Sequence, residues 1–227
     1  KSKIRLLGVD STGLIRPKSG LNVSYWPRLP LSGHIGLIAQ TTTTAAALLD
    51  YAEKYRFGFS SVVSVGAETD VALDEVIDCL VEDEDTQVIA VDVLALRRPR
   101  AFFSAVRAAS RIKPVLILYG PDGEGISALT AARLNAPVAE PDNFRAAVKK
   151  AGAVATDSLS DFCGALRLLA DGRLPRGPRT AVLGNGVGAA VAGAGALTQA
   201  GLALAHLSVP AHEDLQRLSG SPAAAVH

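Results

Sequence analysis

Four consecutive threonines, residues 41–44, stand between a short apolar run and a stretch rich in Ala and Leu. The apolar run, residues 35–39, has the length of a buried strand, and the Ala- and Leu-rich stretch favours a helix. The threonines are therefore predicted to lie at a strand-to-helix turn. The first N–H groups of a helix lack partners within the helix and lie at the positive end of its dipole, so they can hold a phosphate or carboxylate. The candidate anion ligands here are Gln40, Thr41, Thr42 and Thr43.

A second stretch follows the same plan near the end of the sequence. Residues 180–183 are predicted to form a short strand, residues 184–188 a glycine-rich turn, and residues 189–200 a helix of small residues. Its candidate anion ligands are Asn185, Gly186, Val187 and Gly188. Each turn also has an ordinary structural explanation, because a doubly wound sheet needs tight turns and one glycine-rich loop is weak evidence. The recurrence of the pattern is what favours binding.

The elements that would position these turns alternate regularly along the chain. Strands are predicted at residues 60–65, 88–96, 114–119, 153–155 and 202–207, and helices at 71–81, 101–110, 142–150, 158–170 and from about residue 212. Asp70 is predicted to cap the first of these helices. Strands that alternate with helices are typical of a parallel sheet with helices on both faces.

Composition narrows the class of protein. The chain has 227 residues, of which 48% are hydrophobic and 20% charged, as in ordinary globular proteins. Its net charge of +1 gives no reason to expect nucleic acid or an anionic membrane as a partner. No apolar run reaches the roughly 18 residues of a membrane span, so a cytoplasmic protein is predicted. Cys79 and Cys163 are far apart and predicted to pack in the core, and no metal site is predicted.

An ordered series of short motifs runs through nearly the whole chain. They are G-x-x-x-x-G-L-I-R-P (8–17), G-H-I-G-L-I-A-Q-T-T (33–42), V-S-V-G-A-E-T-D-V (63–71), D-E-D-T (83–86), F-x-S-A-x-R-A-A-x-x-x-K-P (102–114), K-K-A-G (149–152), L-P-R-G (174–177), G-N-G-V-G (184–188) and A-G-L-A-L-A-x-L-S (200–208). Each motif is weak by itself, but the set in this order resembles the NDP-forming acyl-CoA synthetases, relatives of succinyl-CoA synthetase.

The resemblance implies a domain organisation. Residues 33–170 would form one flavodoxin-like domain, residues 171–178 a linker, and residues 179–227 the start of a second flavodoxin-like domain. Residues 1–32 would be the tail of a preceding CoA-binding domain and its linker.

The same resemblance implies a phosphorylated histidine held between two helix N-termini, one from each domain. The motif spacing places Arg133 at the histidine position and Leu94 at the position of the glutamate that binds the histidine ring. Arginine stays protonated and cannot carry the phosphoryl group in this way. Asp92 lies two residues from Leu94 on the same face of a predicted strand, so a shifted carboxylate is the weaker alternative. The loss of both residues indicates that the phosphohistidine relay is absent.

Three functions remain open from the sequence. The first is a regulatory module that binds CoA, acyl-CoA or another anion within a larger protein, as in bacterial protein lysine acetyltransferases that carry such a domain without the histidine. The second is an active acyl-CoA ligase with a displaced catalytic residue, and the third is a structural interface module. The resemblance implies CoA bound mainly through the preceding domain, leaves nucleotide binding open, and implies further domains, a nucleotide-binding subunit or a second copy as partners.

Overall fold

The computed structural model describes residues 4–120, 130–132, 138–170, 177–184, 186–219 and 225–226. The chain divides into two compact units, Lys1–Arg173 and Leu174–His227. Arg133 and Asn185, both predicted site residues, lie outside the described residues. Within the described part of the chain, no helix combines the length and the apolar character needed to cross a membrane.

The first unit contains seven strands and five α-helices whose bounds lie within the described residues. The strands are β1 (Gly13–Arg16), β2 (Leu21–Ser24), β3 (Ser32–Ala39), β4 (Phe59–Ser64), β5 (Val88–Val93), β6 (Val115–Tyr119) and β7 (Val154–Thr156). The helices are α1 (Thr42–Tyr55), α2 (Leu73–Glu82), α3 (Pro99–Ala109), α4 (Pro141–Ala151) and α5 (Leu159–Leu169). Apart from β1 and β2, which were not predicted, these elements lie close to their predicted positions.

All seven strands form one sheet in the order β2-β1-β4-β3-β5-β6-β7. The strands from β4 to β7 are parallel, as predicted, but β1 pairs antiparallel with both β2 and β4. The sheet is therefore mixed, since an antiparallel pair extends the parallel part at one edge. Strands β1 and β2 lie within residues 1–32, which were predicted as a domain tail and linker. The pairing of Leu14 with Val63 joins this segment to the sheet.

Alternation along the strands divides the core into two layers. On β6, Val115, Ile117 and Tyr119 pack with α2, α3 and α4 on one face of the sheet. Leu116 and Leu118 pack with α1 and α5 on the other face. Because successive strand residues point to opposite faces, a strand buried on both sides is apolar throughout, as V-L-I-L-Y is.

Two local predictions need correction. Asp70 does not cap α2, because its carboxylate accepts a hydrogen bond from the Leu6 N–H at 2.8 Å and forms an ion pair with Arg5. Glu75 instead accepts a hydrogen bond from the N–H of Ala72, the residue before the helix. Cys163 is buried as predicted, but Cys79 is exposed.

The second unit contains short strands and two helices in its described residues. They are β8 (Arg179–Thr180), β9 (Val182–Leu183), α6 (Val187–Gln199), β10 (Ala203–Leu204), α7 (Val209–Ser219) and β11 (Ala225–Val226). The single strand predicted at residues 180–183 is divided, since β8 pairs parallel with β10 and β9 pairs antiparallel with β11. The predicted order of strand, turn, helix, strand and helix is otherwise present.

The entry to β3 depends on a close approach of two backbones. A Cβ atom at Gly33 would lie 2.5 Å from the carbonyl group of Gly58. Gly33→Ala is therefore expected to lower the free energy of unfolding by about 1–3 kcal/mol, as overpacking does. A Cβ atom at Gly164, inside α5, would meet no other atom within 4 Å, so Gly164→Ala should raise stability by up to about 1 kcal/mol. Urea unfolding followed by circular dichroism compares the two, and equal stability of Gly33→Ala and the parent would contradict the close approach.

Candidate functional site

The first candidate site lies where the connections of the parallel sheet reverse direction. The chain leaves β3 through α1 to reach β4 on one side, and then returns through α2 to β5 on the other side of β3. Helix α1, which follows β3, and helix α3, which follows β5, lie on opposite faces of the sheet, so the loops after these two strands diverge. Open α/β sheets bind ligands in the crevice at such a point. The threonines begin one residue after β3, and this places the predicted anion site at the reversal.

Thr41 caps α1 and is anchored to the neighbouring strand. Its N–H and its hydroxyl both donate to Oδ2 of Asp92, at 3.0 and 2.8 Å. The same hydroxyl accepts a hydrogen bond from the Thr44 N–H at 3.1 Å. The side chain of Thr41 is thus engaged on both sides and fixes where the helix begins.

Asp92 is the buried acid beneath this helix start. It lies near the end of β5 and is 1% exposed. Burial raises the pKa of its carboxyl group to about 6, against the lowering effect of the hydrogen bonds from Thr41. Because Oδ2 is turned toward Thr41, Asp92 serves the helix cap. This geometry does not support the weaker alternative, in which Asp92 is a displaced catalytic carboxylate.

Gln40 holds the loop after β5 against the end of β3. Its Oε1 accepts hydrogen bonds from the N–H groups of Leu94 and Ala95, at 2.6 and 3.1 Å. Its Nε2 donates to the Ala95 carbonyl at 2.7 Å and to the carboxylate of Glu68. An amide side chain has two donor hydrogens and two acceptor lone pairs, so all four are used. Gln40 was predicted as an anion ligand, but its bonds make it part of the frame.

Glu68 is a functional candidate that the sequence analysis did not identify. It follows β4 with a left-handed backbone, φ 51°, and is 7% exposed. Its second carboxylate oxygen accepts a hydrogen bond from the Leu73 N–H at 2.9 Å, at the start of α2. Burial raises the pKa of this carboxyl group, while the bonds from Leu73 and Gln40 oppose the rise. Its position just after a parallel strand was the signal that could have identified it.

The remaining candidates of the first site are placed as follows. Thr42 and Thr43 are exposed in the first turn of α1, where their N–H groups have no partner within the helix. They are therefore the residues of the threonine run that can meet an anion. Leu94 lies immediately after β5 and is half-buried, with its N–H bonded to Gln40. An aliphatic side chain thus occupies the position that the resemblance assigns to a glutamate.

The second candidate site lies within the second unit. Gly186 precedes α6 and, as a glycine, has no side chain that could cap the helix; Val187 and Gly188 form the first turn. Val187 is 67% exposed. The first N–H groups of α6 consequently have no side-chain cap from Gly186, which leaves the turn open to an anionic group.

Comparisons with known proteins agree with this architecture. The model of the family described as "Succinyl-CoA ligase like flavodoxin domain" matches residues 32–169. The acetate–CoA ligase (ADP-forming) II of Archaeoglobus fulgidus is 28% identical over 92% of this chain and 31% of the relative. A trans-feruloyl-CoA synthase from an unknown prokaryotic organism is 29% identical over 66% of this chain and 22% of the relative.

Solved structures show the same fold. The dinucleotide forming acetyl-coenzyme A synthetase 1 of Ca. Korarchaeum cryptofilum, in complex with phosphate and ADP, superposes with a TM-score of 0.82 and 26% identity. The match covers 90% of this chain and 45% of that chain. The chain therefore spans less than half the length of each of these three proteins. The likeness confirms the α/β flavodoxin-like fold.

The buried acid makes a prediction about pH. The pKa of Asp92 is about 6 in the folded chain and 3.8 ordinarily, so the folded chain binds more protons between these values. The free energy of unfolding should consequently fall as pH rises through this window, by roughly 3 kcal/mol in all. Asp92→Asn keeps an acceptor for Thr41 but cannot ionise, so its part of the fall should vanish.

Urea unfolding from pH 4 to pH 7 measures this difference. Asp50→Asn removes an exposed carboxylate from α1 and is the matched control for the change in charge. If the parent and Asp92→Asn lost stability in parallel across the window, the buried acid would not be the cause.

Proposed function

Since the chain belongs to the succinyl-CoA ligase-like flavodoxin domain family, we propose that it is a module of the NDP-forming acyl-CoA synthetase type without phosphohistidine chemistry. In this proposal it binds CoA, acyl-CoA or another anion. It would act as a regulatory part of a larger protein, such as a protein acetyltransferase. The match to the family model supports the assignment to the synthetase type. Asp92 and Leu94, at the end of β5 and just after it, support the absence of phosphohistidine chemistry.

The observation that carries the proposal is the state of two residues, Asp92 at the end of β5 and Leu94 just after it. Leu94 stands at the position assigned to the catalytic glutamate, and an isobutyl side chain can neither hold nor accept a proton. Asp92, the neighbouring carboxylate, is buried and accepts two hydrogen bonds from Thr41. Leu94 therefore cannot hydrogen-bond a histidine ring, and Oδ2 of Asp92 is engaged by the helix cap. Arg133 at the histidine position fits the same interpretation.

Retention of anion binding is supported by the first turn of α1. The N–H groups of Thr42 and Thr43 are free of partners within the helix, and both residues are exposed. The helix dipole favours a negative group at this point. An anion bound here would lie beside the loop that Gln40 holds in place. Loss of catalysis therefore leaves this binding geometry intact.

The proposal places the chain in a larger assembly. The chain covers 44% of the acetate–CoA ligase (ADP-forming) I subunit alpha of Pyrococcus furiosus. Further domains of the same protein or a nucleotide-binding subunit would supply CoA and nucleotide sites. The relatives named above act on acetate and on a feruloyl group, so family membership alone does not set the acyl group.

An active ligase is the second candidate, because relatives from Pyrococcus furiosus and Archaeoglobus fulgidus are named as acetate–CoA ligases. It would require a nucleophile displaced from the expected position. A structural interface module is the third candidate, because Gln40 and Thr41 are engaged in bonds within the protein.

Labelling with radioactive ATP separates the first two candidates. We expect the whole protein, incubated with labelled ATP, CoA and a panel of carboxylic acids, to incorporate no phosphate that resists base and is lost in acid. Such a label would identify a phosphohistidine and show an active ligase. A known ADP-forming acetate–CoA ligase treated in parallel is the positive control.

Anion binding at α1 separates the first candidate from the third. Thr42→Asp would place a carboxylate beside the free N–H groups and compete with a ligand, so the affinity for inorganic phosphate should fall at least about tenfold. Thr42→Asn is the matched control without charge and should bind as the parent does. Calorimetric titration with phosphate measures both. Equal affinities of the two variants, or no binding by the parent, would favour the structural module.

A further inference from the structure

A pocket of about 440 Å³ lies beside the start of α1, between this helix and the antiparallel pair β1 and β2. Its walls are formed mainly by apolar side chains: Ile15, Trp26, Ala46, Leu49 and Val62. Thr42 and Thr43 of the first helical turn also line it. The pocket is thus continuous with the part of α1 to which the proposed anion site belongs.

The arrangement of the sheet accounts for the pocket. Strands β1 and β2 extend the sheet beyond β4, whereas α1 packs against β3 and β4 on this face. Ala46 presents only a methyl group on the side of α1 that faces β1. Trp26, just after β2, forms part of the wall, but space remains between it and the helix. The cavity therefore results from an edge of the sheet that α1 does not cover.

The chemistry of the lining selects an amphiphilic ligand. Pockets of roughly 300–1,000 Å³ with apolar walls and few polar groups are typical of small-molecule sites. The apolar walls favour a hydrocarbon or aromatic body, since each buried methylene contributes about 0.8 kcal/mol. The free N–H groups and exposed hydroxyls of Thr42 and Thr43 favour a negative head group. A two-carbon acid would fill only a small part of this space.

We propose that this pocket holds the apolar part of an acyl group or carboxylic acid larger than acetate, with its carboxylate or thioester at the first turn of α1. This inference rests on the proposed function and adds the class of acyl group to it. Medium-chain and aromatic acids fit the description. The residues that set the size of the ligand are Ala46 on α1 and Trp26 after β2, which both line the pocket.

The chain contains one tryptophan, and it lies in this pocket. Tryptophan fluorescence therefore reports directly on occupancy of the site. Titration of the full chain with acetate, butyrate, hexanoate and phenylacetate should change the fluorescence with affinities that rise with size. Each buried methylene adds about three- to fourfold, so hexanoate should bind at least about 30-fold more tightly than acetate. Hexanol, which lacks the negative head group, should bind more weakly than hexanoate.

Two variants on α1 make the assignment specific. Ala46→Leu fills the pocket and should reduce hexanoate affinity at least tenfold, while acetate affinity stays within twofold of the parent. Ala47→Leu adds the same side chain at a half-buried position that does not line the pocket, and it should bind hexanoate as the parent does. Urea unfolding of both variants shows whether they remain folded under the titration conditions.

The outcomes separate this inference from the proposed function. If acetate and hexanoate bound equally well, or Ala46→Leu and Ala47→Leu behaved alike, the pocket would not be the acyl site, although anion binding at α1 would stand. If hexanol matched hexanoate, the assignment of the carboxylate to α1 would be overturned. If neither phosphate nor any acid bound, both the acyl site and the proposed anion site would be wrong.

Discussion

The four hydrogen bonds of the Gln40 side chain are the constraint on which the candidate site depends. They connect the end of β3 to the loop after β5 and to the loop after β4, through the backbone of Leu94 and Ala95 and the carboxylate of Glu68. A buried polar group that loses its partner costs about 1–3 kcal/mol, so a network with every partner present holds its loops in one arrangement. The crevice at the sheet reversal is therefore shaped by buried polar bonds. Its geometry does not require a ligand.

The start of α1, next to this network, has two roles: its N–H groups are capped from within the protein, and they can also bind an external anion. Asp92 and the Thr41 hydroxyl satisfy part of the first turn of α1, and they do so with a negative group already inside the protein. Thr42 and Thr43 remain outside this arrangement and face solvent. A carboxyl group with a raised pKa spends more of its time neutral as pH falls, which reduces its repulsion of a second anion. Burial of Asp92 thus makes the helix start more receptive to an external anion below about pH 6.

Sequence patterns predicted the parts of this fold whose signal is local. The apolar run of β3, the helix formers of α1 and the buried strand V-L-I-L-Y were each clear within one short window. The pair β1 and β2 was missed because each strand has only four residues, because Pro17 and Gly20 in the connection are typical of a loop, and because β1 pairs with the distant β4. Asp70 has the residue type of a helix cap, and only its distant partner Arg5 reveals another role. The Thr41 cap was predictable from the sequence, whereas the buried acid that anchors it was visible only in three dimensions.

The same distinction explains how the module we propose would keep its shape without its catalytic side chains. The groups that hold the crevice are Gln40, Glu68, Asp92 and Thr41, and they bond to one another or to backbone atoms. Leu94 takes part in this frame through its N–H alone, and every residue except proline supplies that group. Replacement of a catalytic side chain at this position therefore leaves the frame unchanged. Under the proposed function, stability would not select against a loss of catalysis at this position, and binding would persist on the same scaffold.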